Sequence, residues 1–262
     1  MLAGGIASVE LNRPDKANAM NLAMWQELRT VFSWIDQTPA ARVAVLTGAG
    51  KHFTSGIDLE LLGGIRAQIA DVCDGRQREK LRCLILDLQD TLTSLERCRK
   101  PVLAAINGAC IGGGLDLICA CDMRYCSADA CFSVKEVYVG MTSDVGTLQR
   151  LPRLIGEGMA RELAYTARNV SGAEAQVIGL VNRCYANAEE MQSGVWELAR
   201  TIATKSPLAV RGSKEMLNYA RDHSVADGLN YIATWNAAML LSDDLGEALA
   251  AVRAKRPPQF RD

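Results

Sequence analysis

Histidine is scarce in this 262-residue chain, which holds only His52 and His223. A Ser-His-Asp triad or a histidine-rich zinc site therefore starts from little, although one imidazole still suffices as a base. Charge of one sign is missing too: 29 Lys and Arg stand against 30 Asp and Glu, for a formal net charge of −1. That balance supplies no field for gathering nucleic acid and no like-charged tail, so no nucleic-acid partner is expected. No apolar run approaches the ~20 residues that span a bilayer, so no membrane partner is expected either. The opening MLAGGIASVELNRPDK lacks a basic start followed by an apolar core, and the chain ends in FRD. With no targeting signal to read, the cytoplasm is the expected compartment.

Cysteine, by contrast, is plentiful: Cys73, Cys83, Cys98, Cys110, Cys119, Cys121, Cys126, Cys131 and Cys184 make nine. The number is odd, and no C-x-x-C pair recurs with a second pair or with histidines, so no metal site is expected. Most of these residues lie in apolar segments, and the nine read as reduced core thiols. Apolar residues make up 49% and charged residues 23%, ordinary for a globular protein. At this length a single core with an appendage is the prior.

Periodicity places strands at IASVEL (6 to 11) and RVAVLTG (42 to 48), with a helix between them over 21 to 37 on the spacing of Leu22, Trp25, Leu28, Val31, Phe32 and Ile35. A helix over about 76 to 97 then leads to a strand at PVLAAIN (101 to 107), and MRYCSADACFSV reads as two short strands around a turn. Such alternation predicts an α/β layering with helices outside a sheet. From about residue 157 the pattern is mainly helical. Pro207 opens one helix, Asp222-His223-Ser224 separates it from the next, and KRPPQFRD reads as an extended tail.

Two stretches carry chemistry. Gly108, Gly112, Gly113 and Gly114 follow a strand and open a helix, but G-x-x-x-G-G-G is neither the dinucleotide G-x-G-x-x-G nor a phosphate loop ending in G-K-S/T. What remains is a helix start stripped of side chains, whose unpaired backbone amides can hold an oxyanion, unless the glycines serve close packing alone. TSGIDL (54 to 59) offers a second amide at Ile57, after the tight turn that Gly56 permits. Asp116 stands one helical turn past Gly113 and faces the same cavity. The other stretch, VKEVYVGMTSDVG (134 to 146), sets Glu136 and Asp144 among Val and Met, where a strand and its turn are expected. Burial among Val134, Val137, Val139 and Met141, with mutual repulsion, would push the two pKa values apart.

VELNRPDKANAMN, FTSGIDL, INGACIGGGLDLICACDMRYC and VGTLQRLPRLIG resemble the enoyl-CoA hydratase/isomerase (crotonase) family over nearly the whole chain. SVKEVYVGMTSDVGTLQRLP and RDHSVADGLNYIATWN are most similar to its 3,5- to 2,4-dienoyl-CoA isomerase branch. The resemblance implies a crotonase-like spiral of β-β-α repeats over 1–204 and a helical trimerisation region over 205–262, in a homotrimer or homohexamer. It implies an acyl-CoA substrate, an oxyanion hole from the amides of Ile57 and Gly113, and thioester contacts from Ser55, Gly56, Ile57, Asp58, Leu59 and Gly113. It makes Asp116, Glu136 and Asp144 the catalytic acids, Glu136 as base at carbon 2 and Asp144 as acid at carbon 6, with no cofactor beyond the substrate's own coenzyme A. The family's alternatives are 2-enoyl-CoA hydration, 3,2-enoyl-CoA isomerisation and, more remotely, a non-catalytic binding role. Asp58 reads equally as a helix cap. Lys16, Lys255 and Arg256 read either as solvated or as contacts to the CoA phosphates.

Overall fold

The computed structural model describes all 262 residues, Met1 to Asp262. Its strands are β1 (Leu2–Ala3), β2 (Ile6–Leu11), β3 (Val43–Gly48), β4 (Val102–Ile106), β5 (Ala109–Ile111), β6 (Met123–Ser127), β7 (Cys131–Ser133), β8 (Val170–Ser171) and β9 (Arg183–Tyr185). One sheet has the order β1-β2-β3-β4-β6-β9, and β5-β7-β8 form a second. From β2 to β9 every neighbouring pair in the larger sheet is parallel. Parallel neighbours need long crossovers. The helices available are α1 (Leu22–Gln37), α2 (Leu59–Gln68), α3 (Asp74–Arg97), α4 (Gly113–Cys119), α5 (Thr147–Ile155), α6 (Glu157–Thr166), α7 (Gly172–Val177) and α8 (Ala188–Ala203). Helices α9 (Pro207–Asp222), α10 (Val225–Met239) and α11 (Asp243–Arg253) follow.

β3 and β4 are unbroken apolar runs because both faces of their sheet are covered. Val43, Val45, Leu103 and Ala105 pack with Met191, Val195 and Ala199 of α8. Their alternates Ala44, Leu46, Ala104 and Ile106 enter the main core of 40 buried residues, with Trp25 and Phe32 from α1 and Leu92 and Leu95 from α3. Each such large side chain is worth about 1.5–3 kcal/mol on burial. Asn21 starts α1 by accepting the Met24 amide at 3.0 Å, and the helix buries Met24, Trp25, Leu28, Phe32 and Ile35 on one stripe.

The α/β layering and the helical last third are as the sequence implies, but one local expectation fails. MRYCSADACFSV gives two strands around a turn, as read, and they enter different sheets: β6 lies between β4 and β9, whereas β7 joins β5 and β8. Residues Glu136–Val139 form a short 3-10 helix rather than a strand, closed by Gly140 at φ 77°. All nine cysteines are free, but Cys83 is exposed on α3 and Cys73, Cys131 and Cys184 are partly exposed, so five are core thiols.

In the last third, Pro207 opens α9 behind the Ser206 cap, and Ser224 caps α10. Lys214 of α9 is buried, with its Nζ 2.7 Å from Asp122 Oδ2 and 3.1 Å from the Lys100 carbonyl, which pins this helix to the sheet. After α11 the chain runs extended to Asp262, which meets Arg211 at 2.6 Å. No helix is long and apolar enough to cross a membrane.

Candidate active site

Two short backbone bridges, Met20 with Ile57 and Thr54 with Cys110, hold the loop after β3 between the segment before α1 and β5. The Met20 amide donates to the Gly56 carbonyl at 2.8 Å and the Asp58 amide to the Met20 carbonyl at 3.1 Å, which leaves the Ile57 amide between them with no acceptor in the chain. Gly56 sits at φ 93°, and a Cβ there would stand 2.6 Å from the Ile111 oxygen, so only glycine fits. Gly113 opens α4 with its own amide equally free. A Cβ built on Gly113 would lie 3.6 Å from the Ile57 nitrogen and 3.0 Å from the Met20 methyl. The two unpaired donors are therefore close neighbours, as an oxyanion hole requires.

They open onto a cavity of about 150 Å³ that Asp116, Glu136 and Asp144 also line. Asp116, the fourth residue of α4, is fully buried, and its Oδ1 accepts from the Thr147 amide at 2.5 Å and from Ser143 Oγ at 3.2 Å. Its Oδ2 and the Oε2 of Glu136 are both buried without a partner. Loss of water, then the neighbouring Asp116 and Asp144 charges, push the Glu136 carboxyl up to about 7. Burial raises Asp144 as well, and raises Asp116 against the opposing hydrogen bonds from Thr147 and Ser143.

The dry surroundings have the expected source in part. Val134 is buried, and Val139 and Met141 line the cavity with Glu136, whereas Val137 does not and is 43% exposed. Glu136 is also covered from across the cavity: a Cβ on Gly112 would stand 3.3 Å from its Oε1, and Trp25, Leu88 and Val145 share the lining.

Ser55, Gly56, Ile57, Leu59 and Gly113 all line the cavity, and Asp58 does not. Asp58 caps α2 through the Glu60 amide at 2.9 Å, and its Oδ2 takes Arg13 at 2.8 Å, which holds its carboxyl below the usual range. Of the cations named from sequence, Lys16 lies 3.9 Å from Glu60 and Arg256 is paired with Glu247 at 2.6 Å. His52 accepts the Ala109 amide and His223 stacks on Tyr219, so neither enters the cavity. Lys135, whose Nζ lies 4.7 Å from the Tyr138 ring centre, lines the cavity and was not anticipated; nor were Ser143 and Thr147. Their one sequence signal is polarity beside Glu136 and Asp144.

Comparison with known proteins shows the family. The family model described as enoyl-CoA hydratase/isomerase matches residues 2–262. The peroxisomal Δ(3,5)-Δ(2,4)-dienoyl-CoA isomerase of Arabidopsis thaliana is 52% identical over 251 residues, 95% of this chain and 90% of that protein. Its mitochondrial counterpart in Mus musculus is 47% identical over 252 residues, 96% and 77% respectively. The crystal structure of an enoyl-CoA hydratase from Bacillus anthracis matches with a TM-score of 0.89 at 33% identity, covering 98% of this chain and 95% of that one. The cytoplasmic expectation is corrected by these names, which are peroxisomal and mitochondrial. It rested only on the lack of a readable leader, which carries no information about where a fold works.

Proposed function

The chain belongs to the enoyl-CoA hydratase/isomerase family, and from that membership we propose that it is an isomerase of fatty acid degradation, converting a 3,5-dienoyl-CoA to the 2,4-dienoyl-CoA. Substrate oxygen lies between the Ile57 and Gly113 amides, with Ser55, Gly56 and Leu59 along the thioester. Glu136 takes the proton from carbon 2, and the electron pair of the broken C–H bond passes into an enolate whose charge the two amides carry. Asp144 then delivers a proton to carbon 6. The electrons of the enolate shift along the conjugated chain, the carbonyl re-forms, and double bonds remain at carbons 2 and 4. Two acids are needed because the two carbons are four bonds apart. Glu136 is given carbon 2 because its carboxylate lies against Gly112, beside the amide pair.

The observation that carries this proposal is one small cavity holding two free amides and the acids Glu136 and Asp144, with Asp116 between α4 and the Asp144 segment. The amide pair bears the enolate charge, so the mechanism calls on no cofactor. Residues 1–204 serve as the spiral core and 205–262 as the assembly region of a homotrimer or homohexamer, a role supported by the exposed Leu217, Leu229 and Leu241. Hydration of a 2-enoyl-CoA would employ Asp116 and Glu136 but leave Asp144 without a task. An ultraviolet assay decides between them, since a 2,4-dienoyl-CoA absorbs where its 3,5 isomer does not. Conversion of a 3,5-dienoyl-CoA is expected; hydration of a 2-enoyl-CoA with an unchanged 3,5-diene would overturn the proposal.

A further inference from the structure

Asp144 stands on backbone that does little to hold itself. Between Gly140 and Thr147, the Met141 amide donates to the Glu136 carbonyl, and the amides of residues 142 to 146 donate to no main-chain carbonyl. An unladdered segment of this kind opens at low free-energy cost. Yet its carboxylate must meet carbon 6 while Glu136 meets carbon 2, and a misplacement of about 1 Å can cost ~100-fold. Something outside the segment must fix it.

Three side chains do so. Asp116 takes Ser143 Oγ and the Thr147 amide, as described. From α3, Gln89 Nε2 donates to the Asp144 carbonyl at 2.6 Å, the one hydrogen bond made to Asp144 by another residue's side chain. From α5, the Arg150 guanidinium lies directly over Gly146, which adopts φ 135° and has no room for a Cβ. Arg150 is itself held: its Nη2 and Nε reach Glu96 Oε2 at 2.8 and 3.3 Å, and both side chains are only 15% exposed. The other oxygen of Glu96 pairs with Arg221 at the end of α9. These groups line a second, polar cavity of about 350 Å³, which shares Val145 with the lining of the site.

We propose that Gln89, and Arg150 held by Glu96, are positioning residues that set Asp144 for proton delivery to carbon 6. This rests on the isomerase proposal, since only that reaction gives Asp144 a task. Neither residue touches substrate. Their effect is therefore confined to the step Asp144 performs, and the oxyanion hole and Glu136 stay as they are. Through Glu96 and Arg221 the same brace ties the Asp144 segment to the C-terminal helices.

The test compares Gln89→Leu and Arg150→Lys with the parent on a 3,5-dienoyl-CoA, following two readouts on the intact protein. Formation of the 2,4-diene should fall at least about 10-fold in kcat. Exchange of the carbon 2 hydrogen with deuterated water, and KM, should stay within about twofold of the parent. In an Asp144→Asn background, Gln89→Leu should bring no second fall, because a residue acting only through Asp144 has nothing left to position. If one variant fails to fold by circular dichroism, the other carries the same comparison. Parent-like isomerisation in a folded variant, a joint fall of exchange and isomerisation, or a second full loss in the Asp144→Asn background would each overturn the positioning role while the parent remains an isomerase. A parent inert toward 3,5-dienoyl-CoA would overturn the proposed function and this inference with it.

Discussion

Glu136 is a glutamate whose proton is removed only near neutrality, and that has two consequences of opposite use. Its carboxyl sits at about 7 in the fold against an ordinary value of 4.5, so the folded chain holds a proton that the unfolded chain releases. Stability from this group is complete below about 4.5 and is lost as pH rises through 7. Glu136→Gln should therefore raise the unfolding free energy at pH 8 by on the order of 1–2 kcal/mol after allowance for residual solvent, and with it the melting temperature, and leave both unchanged near pH 4.5. Melts at the two pH values check this; equal gains at both would mean the carboxylate is not strained. For catalysis Glu136 must be ionised to act as base, so carbon 2 exchange should rise as pH rises through about 7. Asp144→Asn should lose roughly 100- to 10,000-fold in diene formation, yet its remaining carbon 2 exchange should rise through the same pH, because that step needs only ionised Glu136. Exchange that does not change with pH through about 7 would mean that Glu136 is not the base. Of these residues the acids were legible in the sequence because carboxylates amid Val and Met need a reason to be there. Ser143, Thr147 and Gln89 were not, since their partners lie 27, 31 and 55 positions away and only the fold brings them together.

The elements best read from sequence are those whose two faces differ or are both covered. β2 and α1 fall where periodicity puts them, because each alternation or stripe matches a single buried surface. The 3-10 turn at Glu136–Val139 was not legible: its β-branched residues favour a strand, and nothing local says that Glu136 and Val139 both face the cavity. The pairing of β6 and β7 with different sheets was equally hidden, since a short turn between strands ordinarily means a hairpin. The start of α4 was half legible, as glycines that fit no nucleotide motif and whose use depends on a loop nearly sixty residues earlier. Gly113→Val tests that element. Its branches would fill the space between the Ile57 amide and the Met20 methyl, so a folded variant should lose about 100-fold or more, as for a lost oxyanion donor. Unlike Asp144→Asn, it should lose exchange and isomerisation together, because both pass through the same enolate. Exchange near the parent rate would mean that this amide pair does not hold the oxygen.

At the scale of the whole molecule, the C-terminal helices are held to the sheet by polar ties yet turn apolar residues outward. Lys214 and Asp262 anchor α9 and the tail through Asp122, Lys100 and Arg211, while Leu217, Leu229 and Leu241 are 73%, 64% and 91% exposed. Charges kept for inward contacts and leucines left outside reverse the usual arrangement, as expected of a surface that the proposed assembly would cover. The compartment left no such mark, because no property of a folded core depends on which membrane surrounds it. The proposed assembly would leave one, and Leu229→Glu with Leu241→Glu reads it. Both side chains are exposed in the single chain, so far-ultraviolet circular dichroism should be unchanged. In an assembly that covers them, two charges per chain would be taken out of water without partners, at a cost of several kcal/mol each. Sedimentation should then show the parent as three or six chains and the double variant as one, with solubility reduced by whatever apolar surface remains bare. A variant that sediments with the parent would remove this face from the interface and leave the exposed leucines without a partner.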